Sequence, residues 1–372
     1  MKFFTNKIYN YSTILMVLVV AVLFTSVQSQ ASDIGPLPKL KIDAVKAKLG
    51  KALFFDPRLS GDSAISCGTC HDPKEGWTKH VAVCDAYPGS KHFRNAPTIL
   101  NTAYKKTLGI PWHWDGRIGT SLNDMTRDQI TDTYVMNMDM RIMQERLKQV
   151  PMYVKLFKQA YGKEPSNGLV RKAIPEFLKT VVSKNVPFDK GTLSPEQKQG
   201  MELFKGKAGC ISCHNGPMFS DGLPHNTGVP ENADIFKNPQ RHVTYLTFMY
   251  GLGVQNRLNW RRDVGYFTVS HNENDLGKFI TPTLRELKYT APYMHNGMIG
   301  TLEDVIEFYN KGGGKDRPGL KDSAMKPLKL TKSEKKALKT FLLSLSGDNP
   351  SIDVGKPDLS YPVIANWYKT KN

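Results

Sequence analysis

The feature that most constrains this chain of 372 residues is a five-residue motif, Cys-x-x-Cys-His, which occurs twice, as CGTCH and as CISCH. This is the pattern to which c-type haem is attached. Its two thiols form thioethers with the haem vinyl groups, and its histidine becomes the proximal ligand of the iron. The sequence therefore predicts two covalent haems, one held by Cys67, Cys70 and His71 and the other by Cys210, Cys213 and His214.

Two other uses of paired cysteines fit the sequence less well. A thioredoxin-like site has a single CxxC motif in a strand-turn-helix setting. A zinc site has its ligand pairs closer together than the 143 residues between the two motif histidines (214 minus 71). The fifth cysteine, Cys84, belongs to neither motif, and we expect it to behave as a small buried hydrophobic residue.

The first 31 residues differ in composition from the rest of the chain. Lys2 and Lys7 precede an apolar run (ILMVLVVAVLF, 14–24), and a small-x-small site lies directly before Ser32. This is the layout of a secretory signal peptide, and the run is short for a bilayer crossing. We therefore predict a cleaved signal peptide at 1–31 and a periplasmic protein without stable membrane insertion. An uncleaved anchor is the alternative.

The net charge of the chain is strongly positive, with 51 lysines and arginines against 34 aspartates and glutamates and a formal charge of +17. Such a surface attracts acidic partners over long distances. The basic residues are scattered, without the clustered, aromatic-interleaved patches that nucleic acid binding favours. The composition therefore predicts an acidic protein partner and no nucleic acid.

A weak internal repeat surrounds the two motifs. LGKALFFDPRLSGDSAISCGTCHDP (49–73) and QGMELFKGKAGCISCHNGPMFSDG (199–222) both carry Gly-x-x-Leu-Phe before a motif, which suggests two haem-bearing domains. Pro187, Gly191 and Pro195 interrupt helical periodicity between them. The predicted domains are accordingly 32–190, with the first haem, and 191–372, with the second.

Apolar residues at spacings of three and four predict a mainly helical protein. We expect helices at about 138–149, 151–161, 168–184, 195–205, 301–310 and 331–345, and one short strand near 264–270. Long loops join these elements. Loops of that length need something to organise them in a compact domain, and two covalent cofactors would do so.

Four further segments resemble landmarks of the bacterial diheme cytochrome c peroxidases and their MauG-type relatives. They are LGKALFFDPRLS before the first motif, RNAPT (94–98), WDGR (114–117) and TPTLRELKYTAPYMHNGMIGTLEDVIEFY (281–309). They occur in the family's order, and the resemblance extends from about residue 45 to 347. It implies a mainly α fold of two cytochrome c-like domains with one haem each, a calcium ion between the domains and, as in many relatives, a homodimer.

The resemblance also implies roles for individual residues. The haem on His71 would react with hydrogen peroxide, and the haem on His214 would relay or store the oxidising equivalent. Trp114 of WDGR matches the tryptophan that carries charge between the two haems, and it is the catalytic residue that we predict. Asn95 of RNAPT matches an asparagine that binds calcium, a cation that prefers oxygen ligands.

Two positions depart from the family pattern at the first haem. Peroxidases of the family carry a glutamate for proton transfer where this chain has Val135, which cannot transfer a proton. Asp128, Asp132 and Asp139 are the nearby carboxylates that could replace it. Many family members also carry a distal histidine where this chain has Tyr87, so we expect the first haem to be open to peroxide without prior reduction. We expect His80 and His92 to be exposed loop residues.

A third departure concerns the second haem. Tyr289 lies 75 residues after His214 (289 minus 214), where methionine-liganded relatives carry their axial ligand, and MauG-type enzymes use a tyrosine. An anionic oxygen ligand lowers the potential of a haem, whereas a thioether raises it. We therefore expect Tyr289 to bind the second iron, with Met294 as the alternative and with Tyr293, His295 and Met298 ranked below both.

The departures favour one reaction of the family over another. They favour MauG-like oxidation of a protein partner over the cytochrome c peroxidase reaction, in which a small redox protein supplies electrons for the reduction of hydrogen peroxide. Because Val135 cannot transfer a proton, a non-catalytic diheme electron carrier is a third possibility.

Overall fold

The computed structural model describes residues 33–87, 90–315 and 319–350. The predicted signal peptide at 1–31 therefore lies outside the described residues. Within those ranges, none of the helices has both the length and the apolar character that a membrane crossing demands.

The described part of the chain is mainly helical, as the sequence predicts. Its helices are α1 Ala44–Phe54, α2 Cys67–Cys70, α3 Leu122–Thr131, α4 Met140–Lys148, α5 Pro151–Tyr161, α6 Asn167–Leu178, α7 Pro195–Lys205, α8 Ala233–Lys237, α9 Pro239–Gly251, α10 Phe267–Ser270, α11 Leu302–Asn310 and α12 Lys332–Leu343. Strands β1 Pro224–His225 and β2 Phe279–Ile280 form one short antiparallel pair. Single 3-10 turns, such as Cys210–Ser212, Arg257–Asn259 and Leu287–Tyr289, lie between the helices.

Local signals determine several of these helix ends. α7 begins at Pro195 because the Ser194 side chain accepts a hydrogen bond from the Gln197 backbone, and Gln197 binds back to the Ser194 backbone. The helix expected at 168–184 ends early, at Leu178, where a β-branched run (TVV, 180–182) follows. The strand expected at 264–270 is wrong, since Phe267–Ser270 is helical and Gly265 makes only an isolated bridge.

The internal repeat in the sequence is also a repeat of helix packing. α1 packs on α6 in the first half of the chain, and α7 packs on α12 in the second half. A Cβ atom at Gly50 of α1 would lie 2.0 Å from the Ala173 carbonyl oxygen, and one at Gly200 of α7 would lie 2.0 Å from the Ala337 carbonyl oxygen. Glycine alone permits so close an approach of two backbones. The glycine of each Gly-x-x-Leu-Phe segment therefore sets the same helix pairing beside each haem motif.

Buried apolar side chains form several separate clusters within the described residues. One, within the first half, includes Leu53, Phe157 and Phe177. Another, mostly within the second half, includes Phe204 and Phe341, and a third surrounds the inner side of α9. The described residues, 33–87, 90–315 and 319–350, belong to a single compact unit, so the domain boundary at 190/191 stays a prediction.

Candidate haem-binding site

One continuous cavity of about 550 Å³ extends past both Cys-x-x-Cys-His motifs. Its size is in the range of cofactor-binding sites in proteins. Apolar side chains such as Leu178, Phe204 and Leu342 form much of its wall. The motif residues that line it are Cys67, Cys70 and His71 on one side and Cys210, Cys213 and His214 on the other. The structure thus brings the two predicted haem attachment sites to one cavity.

Both motif histidines are oriented as metal ligands usually are. Nδ1 of His71 lies 3.2 Å from the Trp77 carbonyl oxygen, and Nδ1 of His214 lies 3.0 Å from the Phe219 carbonyl oxygen. An N–H at Nδ1 that donates to a carbonyl leaves the Nε2 lone pair free for a metal. Removal from water lowers the pKa of both imidazoles, that of His71 to about 4. Both side chains are therefore neutral and suited to bind iron.

Two of the four motif thiols, one in each motif, lie where burial disfavours the ionised form. None of the cysteines within the described residues forms a disulfide. Burial raises the pKa of the Cys67 and Cys210 thiols to about 12, so an ionised sulfur is disfavoured there. Cys84 is buried, as predicted, and it lines the same cavity beside Cys70. The residues at both motifs thus fit covalent haem attachment.

Trp114 is held by segments from both halves of the chain. Its indole N–H donates to the Asn95 carbonyl oxygen at 3.0 Å, and its own carbonyl oxygen accepts from the Ile280 N–H at 2.8 Å. Its ring lies edge to face with that of His295, at 6.4 Å between centroids. Trp114 also lines the cavity that both motifs share. This placement is compatible with the relay role that the resemblance implies.

A buried ion-pair network anchors the segments beside Trp114. The Arg94 guanidinium donates to both carboxylate oxygens of Asp263, at 2.5 and 2.8 Å, and to Asp115 at 2.5 Å. Burial disfavours ionisation of Asp115, but Arg117 and Arg94 outweigh burial and hold the pKa of this carboxyl below its usual range. The network therefore joins the first half, through Arg94 and Asp115, to Asp263 in the second half.

Asn95, the predicted calcium ligand, is buried next to this network. Its side-chain amide donates to the carbonyl oxygens of Val81 and Ala82, both at 3.1 Å, and its backbone N–H donates to the His295 carbonyl oxygen at 2.7 Å. Its side-chain oxygen accepts no hydrogen bond from the described residues. That oxygen is a suitable ligand for a hard cation, and the calcium site stays a prediction.

Tyr289, the predicted ligand of the second iron, does not line the cavity. It ends the 3-10 turn Leu287–Tyr289, and its hydroxyl donates to the Gly347 carbonyl oxygen at 2.9 Å. Its ring packs on the apolar cluster of the first half, next to Gly76. The geometry therefore contradicts the expectation for Tyr289, because its hydroxyl points to a backbone carbonyl and not to the second haem motif.

Another tyrosine, Tyr309, lines the cavity near the second motif. It is in the last turn of α11, where burial and the Cys210 and Cys213 thiols raise its pKa. The alternative, Met294, also lines the cavity. Helical spacing could have identified Tyr309, since the cavity-lining residues of α11 are Leu302, Val305, Ile306 and Tyr309.

The carboxylates near Val135 have different surroundings. Val135 lines the cavity, as expected for the missing glutamate's position. Asp139 lies outside it, at the N-cap of α4, where it pairs with exposed Arg141 at 2.6 Å. Asp128 pairs with Nε2 of His113 at 2.9 Å. Asp139 is therefore excluded as the replacement, and Asp128 does not line the cavity itself but contacts three residues that do, His113, Arg117 and Gln129.

Asp132 is connected to the cavity through Tyr134. Its carboxylate accepts the Tyr134 backbone N–H at 3.3 Å and interacts with the phenol of the same residue, and burial raises the Asp132 pKa to about 6. Tyr134 itself lines the cavity. Asp132 and Tyr134 thus form a carboxylate–phenol pair next to Val135. Sequence reasoning named Asp132 among three candidates but missed Tyr134.

The histidines of the first half also differ from expectation. His92 is half-buried and lines the cavity, where burial lowers its pKa to about 3, so its assignment to an exposed loop is wrong. His80 is exposed, and its ring contacts the Tyr289 carbonyl oxygen at 3.0 Å. Tyr87 is buried and does not line the cavity. The open first haem stays a prediction.

Another histidine, His225, lies at the second motif between two carboxylates. Its Nε2 is 2.9 Å from Asp221 and its Nδ1 is 2.6 Å from Asp322, and Nδ1 is also 3.9 Å from the Cys213 sulfur. Hydrogen bonds with Asp221 and Cys213 are the largest causes that raise its pKa, to about 11. The two flanking carboxylates favour the protonated form of His225, whose side chain also lines the cavity.

Comparisons with known proteins agree with this site. A family model described as di-haem cytochrome c peroxidase matches residues 44–197. The chain is 47% identical over 326 residues to the cytochrome-c peroxidase IdrP2 of Denitromonas iodatirespirans, covering 85% of this chain and 86% of the relative. It is 36% identical over 326 residues to the methylamine utilization protein MauG of Methylorubrum extorquens, and the match covers 85% of this chain and 83% of the relative.

A solved structure shares the fold. It is that of a MauG-like protein associated with microbial copper homeostasis, with a TM-score of 0.70 and 24% sequence identity, and the match covers 90% of this chain and 99% of that one. At this identity the likeness speaks for the fold alone.

Proposed function

Because the chain belongs to the family of di-haem cytochrome c peroxidases and MauG proteins, we propose that it is an exported peroxidase that reduces hydrogen peroxide with electrons from a small redox protein. The single observation that carries the proposal is the cavity shared by both haem motifs and Trp114. The name of the 47% identical relative supports this reaction better than the MauG-like oxidation that the departures favoured. The calcium ion, the homodimer and the periplasmic location stay predictions.

The residues that would hold the cofactors follow from the cavity. Cys67, Cys70 and His71 would hold one haem, and Cys210, Cys213 and His214 the other, with Tyr309 facing the second motif. When bound, haem supplies the iron at which the oxygen–oxygen bond of peroxide is cleaved and electrons are taken up. The chain's own residues must position the peroxide, move its protons and keep charge moving between the two motifs.

Proton transfer is assigned to the pair of Tyr134 and Asp132. At neutral pH the Asp132 carboxyl, with a pKa of about 6, is mainly ionised and accepts the hydrogen bond of the Tyr134 phenol. A proton from peroxide in the cavity passes to the Tyr134 oxygen as the phenol proton passes to Asp132. The reverse transfer then protonates the leaving oxygen, which departs as water, so the pair performs the general acid–base role of the missing glutamate.

Trp114 is assigned to charge transfer between the motifs. Its contacts with Asn95 and Ile280 hold the indole in one orientation. Its N–H donates to the neutral Asn95 carbonyl oxygen, and among the described residues no carboxylate accepts the indole proton. The side chain is thereby suited to pass charge without a chemical change of its own.

The proposal is tested by steady-state peroxide consumption by the diheme protein with a reduced small c-type cytochrome as donor. A peroxidase consumes one peroxide for every two cytochromes oxidised, whereas an electron carrier consumes no peroxide and accepts at most one electron at each of its two haems. Trp114→Phe is expected to slow turnover at unchanged haem content. The matched control is Trp112→Phe, since Trp112 lines the same cavity but its indole N–H has no partner among the described residues.

MauG-like oxidation of a protein is the second candidate. The observation that favours it is Tyr309, a phenol oxygen at the second motif of the kind expected in MauG-type enzymes. Under this candidate, peroxide is consumed without a cytochrome donor when an oxidisable protein is present, and modified residues appear in that protein. Mass spectrometry of the protein recovered after reaction distinguishes the two functions.

A further inference from the structure

The segment from Ile235 to Arg262 has an extreme charge balance. It contains five basic residues and no aspartate or glutamate, although the whole chain holds 34 acidic residues. The five are Lys237, Arg241, Arg257, Arg261 and Arg262. This segment comprises α9 and the 3-10 turn Arg257–Asn259, which pack against each other.

The outer side of this segment exposes three large apolar side chains. Val243 is 61% exposed, Tyr250 is 67% exposed and Leu258 is 66% exposed. Val243 and Tyr250 are two helical turns apart, so they lie on the same side of α9, roughly 10 Å apart along its axis. Leu258 belongs to the 3-10 turn that packs against α9. Isolated exposed apolar residues are common, but three on two elements that pack together are characteristic of an interaction surface.

Guanidinium groups frame these apolar side chains. The Arg257 guanidinium lies over the Tyr250 ring at 4.7 Å. The Arg261 guanidinium donates to Nε2 of His242 at 3.1 Å and to the Leu258 carbonyl oxygen at 2.9 Å. Within the described ranges, neither arginine pairs with a carboxylate. We call the surface formed by Val243, Tyr250, Arg257, Leu258 and Arg261 the α9 face.

The inner side of the same helix reaches the cavity. Phe248 of α9 is buried, and its ring lies 5.0 Å from the Phe93 ring and 6.4 Å from the Tyr134 ring, measured between centroids. Phe93 and Tyr134 both line the cavity. A protein bound to the α9 face is thus separated from the cavity by one helix with tightly packed aromatic rings.

We propose that the α9 face docks an acidic redox protein. The proposal rests on the proposed function, since such a protein would supply the electrons for peroxide reduction. Carboxylates that surround an exposed apolar cofactor edge would pair with Arg257 and Arg261, and the apolar centre would cover Tyr250 and Leu258. Tyrosine and arginine are the residues that contribute most to binding at such interfaces, and opposite charge accelerates and orients the encounter.

The test uses the diheme protein with Arg257→Glu and Arg261→Glu combined. The control, Lys158→Glu with Lys163→Glu, makes the same change of charge at exposed residues of α5 and the loop after it. The probes are a small acidic c-type cytochrome and a basic one of similar size. Surface plasmon resonance measures binding at several salt concentrations, circular dichroism checks folding, and Tyr250→Ala with Leu258→Ala tests the apolar centre without a change of charge.

We expect the arginine pair to weaken binding of the acidic cytochrome roughly tenfold or more, with a smaller salt dependence, while the control pair changes binding less than threefold. The apolar pair should weaken binding at all salt concentrations. Equal losses in the arginine and control pairs, or no loss in either, would overturn the inference. The inference would also be overturned if the arginine pair weakened binding to phosphatidylglycerol vesicles more than it weakened binding to the acidic cytochrome.

Failure of the docking inference and failure of the proposed function give different results. The docking surface alone is refuted if the wild-type protein consumes peroxide with a small chemical reductant and the α9-face variant binds the acidic cytochrome as tightly as the wild type does. Wild-type protein that consumes no peroxide with either donor refutes the proposed function.

Discussion

Close backbone contact at Gly200 leads to a strong prediction about stability. An added Cβ atom would lie 2.0 Å from the Ala337 carbonyl oxygen and 2.7 Å from Cβ of Phe341, whereas ordinary contact begins at 3.4 Å. α7 and α12 would therefore have to separate by about 1.4 Å (3.4 minus 2.0). The separation would loosen the apolar cluster that contains Phe204 and Phe341.

The magnitude of this effect can be worked out from two opposing contributions. Overpacking of a close contact costs about 1 to 3 kcal/mol. Alanine in a helix interior recovers about 0.5 to 1 kcal/mol relative to glycine. The difference lies between about 0 and 2.5 kcal/mol. Gly200→Ala should therefore lower the free energy of unfolding by about 1 kcal/mol, and Gly50→Ala, with the same 2.0 Å approach to Ala173, by a similar amount.

The assay is urea unfolding of the diheme protein, followed by circular dichroism and by the Soret absorbance. The control is Gly168→Ala in α6, where nothing lies within 4 Å of the added atom, so its unfolding midpoint should stay the same or rise. If Gly200→Ala unfolds at the same urea concentration as Gly168→Ala, the close approach of α7 and α12 does not control stability, and the reasoning from the repeated glycines is wrong.

Three further predictions concern the cavity. Tyr309→Phe should change the low-spin electron paramagnetic resonance signal of the second haem, whereas Tyr289→Phe should leave it unchanged; the opposite pattern would restore Tyr289 as the ligand. The folded-state pKa of Asp132 is raised from 3.8 to about 6, so the stability that its protonated form contributes is present below pH 4 and is lost as the pH rises through 6. Asp132→Asn should therefore stabilise the fold by about 1 to 2 kcal/mol at pH 7 and by nothing near pH 4, as measured by urea unfolding. The same substitution should slow peroxide turnover. Asp139→Asn is the control and should change neither stability nor turnover. Trp114→Phe should slow peroxide turnover at least tenfold with normal haem spectra, and turnover equal to that of Trp112→Phe would remove Trp114 from the relay.

Those parts of the fold with local signals could be predicted from the sequence. α7 begins at Pro195 as expected, because the capping residues Ser194 and Gln197 act within one turn. α9 was missed because its core carries residues of modest helix propensity, such as Thr244 and Tyr245. Packing of its inner side against Phe93 and neighbouring apolar residues stabilises it instead, and such contacts between distant segments leave no local signal.

The same distinction applies to the candidate site. The haem attachment residues could be read directly, since the thiols and the histidine occur within five positions. The candidate ligand of the second haem is less direct: the helical spacing of Tyr309 with Leu302 and Val305 points toward it, but only the fold shows that Tyr309 lines the cavity and Tyr289 does not. Tyr134 was overlooked for a similar reason, since its partner Asp132 alone was recognised as a proton carrier.

The contacts around Trp114 have a consequence for how such a protein could arise. Expressed separately, residues 33–190 would contain Trp114, Arg94 and Asp115 but neither Ile280 nor Asp263, and the second fragment would lack the tryptophan altogether. The position of the indole is therefore a joint property of both halves. Duplication of an ancestral haem domain would account for the repeated glycine packing, but the contacts that hold Trp114 come from segments that differ between the two halves.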